Sequence, residues 1–268
     1  MYSIIKEKIK AQKNFLEFAE NLVQGKSSFS LFGVNDSIKP FFLACLNEKF
    51  NIPIIFICKN SKEAKAYFEQ GYLEGSSYFP PKDMEFQRFD AKSRDDENLR
   101  VGTLKRLVKD KLSVVFTSFD ALLPKLCPEQ VFSKSILTIK KGQTYNIADL
   151  FKRCIKLGYM PESLVEGEGA IDKRGSILDI YVPSEHAYRI DFFGDEVESI
   201  KSFDPLTQRT KASIYDEITV SCATEFVFDE NYLDSAIATL EKEISKNPNN
   251  ALFEDLDHIK EGKTFEGI

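Results

Sequence analysis

The chain has 268 residues, 43% hydrophobic and 29% charged, with 23 Phe and no Trp. That suits one large or two ordinary globular domains and excludes a disordered or low-complexity chain. The net charge of −6 argues against a surface built mainly for nucleic-acid phosphates.

The acidity is not uniform, since residues 223–268 carry eleven acids and four bases, leaving the preceding 222 residues near neutrality. The apolar runs, Ile52 to Cys58 among them, fall far short of the roughly 20 residues that cross a bilayer. The N-terminus lacks a secretory signal, so a cytoplasmic location is expected, with no membrane partner. Five cysteines, Cys45, Cys58, Cys127, Cys154 and Cys222, lack metal-site spacing and are odd in number, so buried or inert thiols are expected rather than a disulfide framework or a metal.

In chain order, apolar residues Ile5, Ile9, Leu16, Ala19 and Leu22 predict one amphipathic helix over residues 3–24, stopped by Gly25. Residues 28–33 predict a strand, followed by a helix with Pro40 in its first turn. A strand at 52–58, a helix at 61–70 and a short strand at 77–79 come next. The charged segment 92–100 leads into a helix ending near Lys111, and residues 112–117 predict another buried strand. Alternating strands and helices imply an α/β domain with a parallel sheet covered on both faces.

Pro124 and Pro128 mark a boundary. Beyond it, a strand at 136–139 and a helix at 146–157 precede strands at 163–166, 176–181, 188–193 and 197–203, a compact α+β pattern with an antiparallel sheet. Helix returns after Cys222, with Leu233, Ile237, Leu240 and Ile244 on one face. The abrupt end at Phe265 to Ile268 suggests part of a longer protein.

The segment Gly33-Val-Asn-Asp-Ser-Ile-Lys-Pro40 places Gly33 and Lys39 at the spacing of a phosphate-binding loop. Its chemistry is lost. Ile38 stands where a glycine lets backbone approach phosphate, Pro40 replaces the hydroxyl that holds magnesium, and Asp36 adds a repelling charge. Lys39 then reads as a solvated or capping lysine. His186 and His258 are too few and too scattered for a triad or metal cluster, and Asp95 with Asp96, or Asp195 with Glu196, read as helix-start and turn charges. No catalytic residue, cofactor or metal is expected.

The run Tyr188-Arg-Ile-Asp-Phe-Phe193 carries the sharpest signal. Alternation assigns Tyr188, Ile190 and Phe192 to the core and Arg189, Asp191 and Phe193 to the opposite face, with Arg174 close by if the flanking strands pair. An aromatic beside Arg and a carboxylate is a candidate interface anchor. The alternative is that Phe193 packs under a helix and Arg189 pairs with Asp191.

Gly158-Tyr159, Glu166-Gly-Glu-Gly169, Arg174-Gly-Ser-Ile-Leu-Asp-Ile180, the stretch from Tyr188 to Ile200 and Phe203-Asp-Pro-Leu-Thr-Gln-Arg209 together resemble the second domain shared by UvrB and the transcription-repair coupling factor Mfd. Weaker similarity covers the rest. The dead loop and the short stretch between Phe79 and Lys111, with no room for the DNA-clamping hairpin of UvrB, favour the N-terminal UvrB-like part of Mfd.

The resemblance implies three parts: residues 1–128, a UvrB-like domain 1a with a degenerate phosphate loop; 129–222, a UvrA-binding domain 2; and 223–268, a truncated helical part of domain 1b. It implies a non-catalytic recruitment module of nucleotide excision repair that binds UvrA through Arg174, Arg189 and Phe193. In the parent protein, RNA polymerase and DNA are engaged by domains absent from this chain. The alternatives are a UvrB-type nucleotide-dependent repair enzyme and a DNA-binding module.

Overall fold

The computed structural model describes residues 2–25, 28–71, 73–82, 94–109, 114–225, 230–247 and 250–260. The chain divides into two compact units: residues 1–82 with 103–125, and residues 83–102 with 126–268.

The first unit opens with helices α1 (Tyr2–Lys10) and α2 (Lys13–Val23), where one continuous helix was expected. The break at Gln12, which is extended at φ −72° and ψ 134°, has a packing cause. Ile9 and Phe15 enter the same core cluster with Phe41, Cys45 and Leu46 of α3 (Lys39–Phe50). Six residues apart on an uninterrupted helix, they would point to different sides. Leu16, expected on the apolar face, is exposed.

Helix α3 carries Pro40 in its first turn and ends at Asn51 in the left-handed region, φ 50°. Strand β1 (Ile54–Cys58) and helix α4 (Ser61–Glu69) follow. The Asn60 side chain caps α4 by accepting from the Glu63 N–H at 2.9 Å, while Glu63 accepts from the Lys59 N–H at 3.0 Å, a reciprocal arrangement that satisfies orphan donors at the helix start. Strands β2 (Ser77–Phe79) and β3 (Val114–Ser118) complete a parallel three-stranded sheet in the order β1-β3-β2.

The strand expected at 28–33 does not form. Phe29 packs on Phe18 at 4.7 Å between ring centroids, while Leu31 and Phe32 are exposed. Alternating residues become a strand only where a neighbour completes the ladder and covers one face. Residues 110–113, which hold the end of the helix expected near Lys111 and the start of the next strand, lie outside the described residues. So do residues 83–93, within the stretch 79–111 that bears on the missing hairpin, and the segment 265–268.

Helix α5 (Asp95–Val108) spans the division between the units, which falls after Gly102. In the second unit, α6 (Glu129–Lys134), β4 (Leu137–Lys140) and α7 (Ile147–Lys156) precede a run of strands. These are β5 (Met160–Pro161), β6 (Ala170–Arg174), β7 (Ile177–Tyr181), β8 (Ala187–Phe193), β9 (Glu196–Phe203) and β10 (Thr210–Ile214). They form a six-stranded sheet in the order β10-β9-β8-β7-β6-β5, antiparallel except for the short β5-β6 pair. Strand β11 (Glu217–Val220) pairs antiparallel with β4, and helices α8 (Glu230–Lys246) and α9 (Asn250–Lys260) follow.

The fold is therefore the mixed α/β arrangement expected, a parallel sheet and a separate antiparallel one. Residues 163–166, expected as a strand, form a loop that inserts fully buried Val165 among Ala170, Ala187 and Phe203. No helix among the described residues is long and apolar enough to cross a membrane.

Candidate protein-binding face

Two adjacent hairpins build the site. Arg174 pairs with Ile177 across Gly175-Ser176, and Phe193 pairs with Glu196 across Gly194-Asp195. In both turns the first central residue is a glycine with positive φ, 58° at Gly175 and 62° at Gly194, the pattern of a type II′ turn whose twist matches its strands. Because β7 lies between β6 and β8, both turns sit at the same end of the sheet. Arg174 and Phe193 each occupy the last position before a turn.

The face follows from register. Asp179 stands opposite Asp172 on one side and Arg189 on the other, and Arg189 stands opposite Lys201. Tyr188, Ile190 and Phe192 are buried on the reverse face, as alternation predicts, and Phe193 is 80% exposed. A bulge between Asp191 and Phe192 shifts the β8-β9 register, and the two-residue alternation of β8 carries through it.

The arginines meet a carboxylate that sequence reading missed. Arg189 donates Nε to Asp179 Oδ1 and Nη2 to Oδ2, both at 2.8 Å, and its guanidinium lies 4.9 Å from the Phe203 ring centroid. This pairing with Asp179, ahead of the opposing cost of burial, holds the guanidinium pKa above its ordinary value. Arg174 donates Nη2 to the same Oδ2 at 2.9 Å and places Nε 2.8 Å from Asp172 Oδ2. Neither branch of the packed alternative holds: Phe193 is open, and Arg189 pairs with Asp179, whereas Asp191 takes the Ser199 hydroxyl at 2.6 Å and Lys201 at 3.7 Å. The signal for Asp179 was present in the sequence, an acid in the middle of an otherwise apolar strand, which demands a buried partner.

The Gly33 loop lies in the first unit and is closed by its own side chains. Lys39 Nζ contacts Asp36 Oδ1 at 2.6 Å, and the Ser37 N–H donates to Asn35 Oδ1 at 3.1 Å. The hydrogen bond between them lowers the Asp36 pKa and raises that of Lys39. The lysine at the phosphate position is thus ion-paired with a solvent-exposed carboxylate of its own loop.

Asp95 and Asp96 occupy the first turn of α5, where acids complement the helix dipole. Asp195 sits in the β8-β9 turn and Glu196 begins β9. His186 lies against Tyr188, 6.1 Å between ring centroids, while the side chain of His258 lies outside the described residues. Burial pushes the thiols of Cys154 and Cys222 up to about 12 and that of Cys58 to about 11, which suppresses the reactive thiolate.

Residues 137–226 match the UvrB interaction domain family. The chain is 34% identical to a transcription-repair-coupling factor of Helicobacter pylori over 79% of its own length and 21% of the relative's. It is 26% identical to that of Staphylococcus haemolyticus over 97% of its length and 23% of the relative's. It is 27% identical to UvrABC system protein B of Dehalococcoides mccartyi, over 85% of this chain and 37% of the other. The chain thus spans between a fifth and two fifths of the length of these relatives.

Proposed function

We propose that this chain, which resembles the N-terminal UvrB-like region of transcription-repair-coupling factors, is a non-catalytic recruitment module of transcription-coupled repair that binds UvrA. Residues 129–222 form the binding part, and residues 1–128 and 223–268 correspond to the UvrB-like parts flanking it. Arg174, Arg189 and Phe193 make the contact face. In the whole protein, RNA polymerase and DNA would be engaged by regions beyond this chain.

One observation carries the reading. Within the matched span 137–226, Phe193 stands 80% exposed on the same sheet face as the half-exposed Arg174, both at hairpin tips. An exposed aromatic on the same sheet face as a half-exposed guanidinium has the composition of an interface hot spot.

The deciding experiment is calorimetric titration of UvrA into the wild-type chain and into Arg189→Ala and Phe193→Ala variants shown to be folded. Loss of binding is expected in both. Wild-type affinity in both would overturn the assignment of this face.

The UvrB-like similarity keeps one rival, a nucleotide-dependent repair enzyme. Ile38 and Pro40 at the start of α3 oppose it, since one lacks the freedom of glycine and the other lacks a backbone donor, and the exposed Asp36 beside Lys39 adds repulsion. Tight magnesium-dependent binding of a fluorescent ATP analogue, abolished by Lys39→Ala, would restore it.

A further inference from the structure

The binding face is organised around one buried carboxylate. Asp179 is 1% exposed, and it faces Asp172 directly across β6 and β7, a like-charge pairing that repels unless bridged. Arg174 bridges it, with Nε on Asp172 and Nη2 on Asp179. Two acids and two guanidiniums leave this cluster with no net charge, so a partner reads its geometry more than its field.

The two arginines are held differently. Arg189 is 19% exposed in its side chain, and its donors are directed inward: Nε and Nη2 to Asp179, and Nη1 to the Gln208 carbonyl at 3.3 Å and Thr210 Oγ1 at 3.4 Å. Arg174 is 51% exposed, and among the described residues its Nη1 meets no acceptor. A long side chain at the tip of a hairpin normally loses rotamer freedom on binding. Here a hydrogen bond to Asp179 and an ion contact with Asp172 already hold it.

Resting on the assignment of this face to UvrA, we propose that Asp179 is its positioning residue, orienting both guanidiniums so that Arg174 offers Nη1 to an acidic group of the partner beside the exposed Phe193 ring. Arg189 then acts mainly by completing the neutral cluster, and the direct contacts fall to Arg174 and Phe193.

The test is a double-mutant cycle in the 268-residue chain, with UvrA affinity measured by calorimetry for wild type, Arg174→Ala, Asp179→Asn and the pair. Asp179→Asn keeps the shape and leaves the Arg174 charge in place. It is expected to weaken binding by about tenfold or more, and Arg174→Ala added to it to cost less than about twofold further, because the two act as a unit. A general structural role for Asp179 predicts instead that the Arg174 increment stays as large as in wild type, and that result overturns the proposal. So does a folded Asp179→Asn variant with wild-type affinity.

Should Asp179→Asn fail to fold, the Arg174 Nε–H signal is read by nitrogen-15 relaxation in Asp172→Asn, where Asp179 is the remaining carboxylate partner. An ordered signal supports the proposal and a freely mobile one overturns it. Failure of the UvrA reading itself is seen separately, as wild-type affinity in the single variants Arg174→Ala and Phe193→Ala.

Discussion

Arg189 and Asp179 occupy directly opposed positions on β8 and β7 and exchange two parallel hydrogen bonds, Nε to Oδ1 and Nη2 to Oδ2, each 2.8 Å long. The bidentate geometry and the burial of Asp179 make this pair a structural element of the sheet as well as part of its outer face. Its removal therefore has two consequences, and they can be measured apart.

The first prediction separates stability from recognition. Arg189→Ala leaves a 1% exposed carboxylate with Arg174 as its remaining charged partner among the described residues, and breaking a buried pair costs about 3 kcal/mol. Phe193→Ala removes an 80% exposed ring, so its effect stays within about 0.5 kcal/mol. Urea unfolding checks both. Equal destabilisation by the two substitutions would contradict the burial difference on which the face is defined.

A second prediction concerns Gly102 in α5, where Ala would ordinarily stabilise a helix by about 1 kcal/mol. Here a Cβ would lie 2.3 Å from Ser184 Oγ and 2.5 Å from Ser184 Cβ. Gly102→Ala should therefore destabilise the protein by about 1–3 kcal/mol. Ser184 has φ 56°, so Ser184→Gly removes the obstructing side chain and suits the backbone. In the Ser184→Gly background, Gly102→Ala should become neutral or stabilising. Additive melting-temperature changes would show that the close approach is not the cause.

The extent to which these features were legible in the sequence follows the physics of each. Strands β8 and β9 were readable because one face is largely buried and the other more open, which imposes a period of two, with Ile190 at 0% and Phe193 at 80% exposure three residues apart on β8; β7, buried at its three central residues, was readable as a short apolar run bounded by turns. Strand β10 was not, since all five of its residues are exposed and no apolar alternation exists to detect. The break between α1 and α2 was hidden because its cause is the shared cluster of Ile9 and Phe15, a tertiary demand that overrides local pattern. Residues 28–33 show the reverse, a strand-like alternation without a ladder partner. At the face, Arg174, Arg189 and Phe193 were singled out through the resemblance; Asp179 was passed over although an acid inside an apolar strand calls for a partner, and which partner it meets is set by the residue facing it across the sheet.

Glu168 supplies a third prediction, on pH. Burial, ahead of the opposing hydrogen bond from the Ser184 N–H, raises its pKa above the ordinary 4.5. A carboxyl with a raised folded-state pKa binds its proton in the folded chain before the unfolded one. Its contribution therefore grows as pH falls from above the folded value towards 4.5, and is lost as pH rises through that folded value. Glu168→Gln should raise the melting temperature at pH 7, with the advantage over wild type shrinking steadily as pH approaches 4.5. An advantage that grew on acidification would mean that the hydrogen bond from Ser184, not burial, controls this group.

One substitution in the Gly33 loop should not restore phosphate binding. The Lys39 ammonium is neutralised by Asp36 at 2.6 Å, so Asp36→Ala frees the lysine. It leaves Ile38, 38% exposed and immediately preceding α3, and Pro40, which cannot donate a backbone hydrogen bond. A freed charge without a cradle of backbone N–H groups attracts anions weakly and without magnesium selectivity. Asp36→Ala alone should accordingly leave ATP affinity weaker than about 1 mM in calorimetry, an interaction of roughly 4 kcal/mol at most. Combining it with Ile38→Gly and Pro40→Thr should tighten binding and make it depend on magnesium. Should Asp36→Ala by itself give micromolar, magnesium-dependent binding, the loop would be an inhibited nucleotide site gated by one carboxylate, and the non-catalytic reading of this unit would fall.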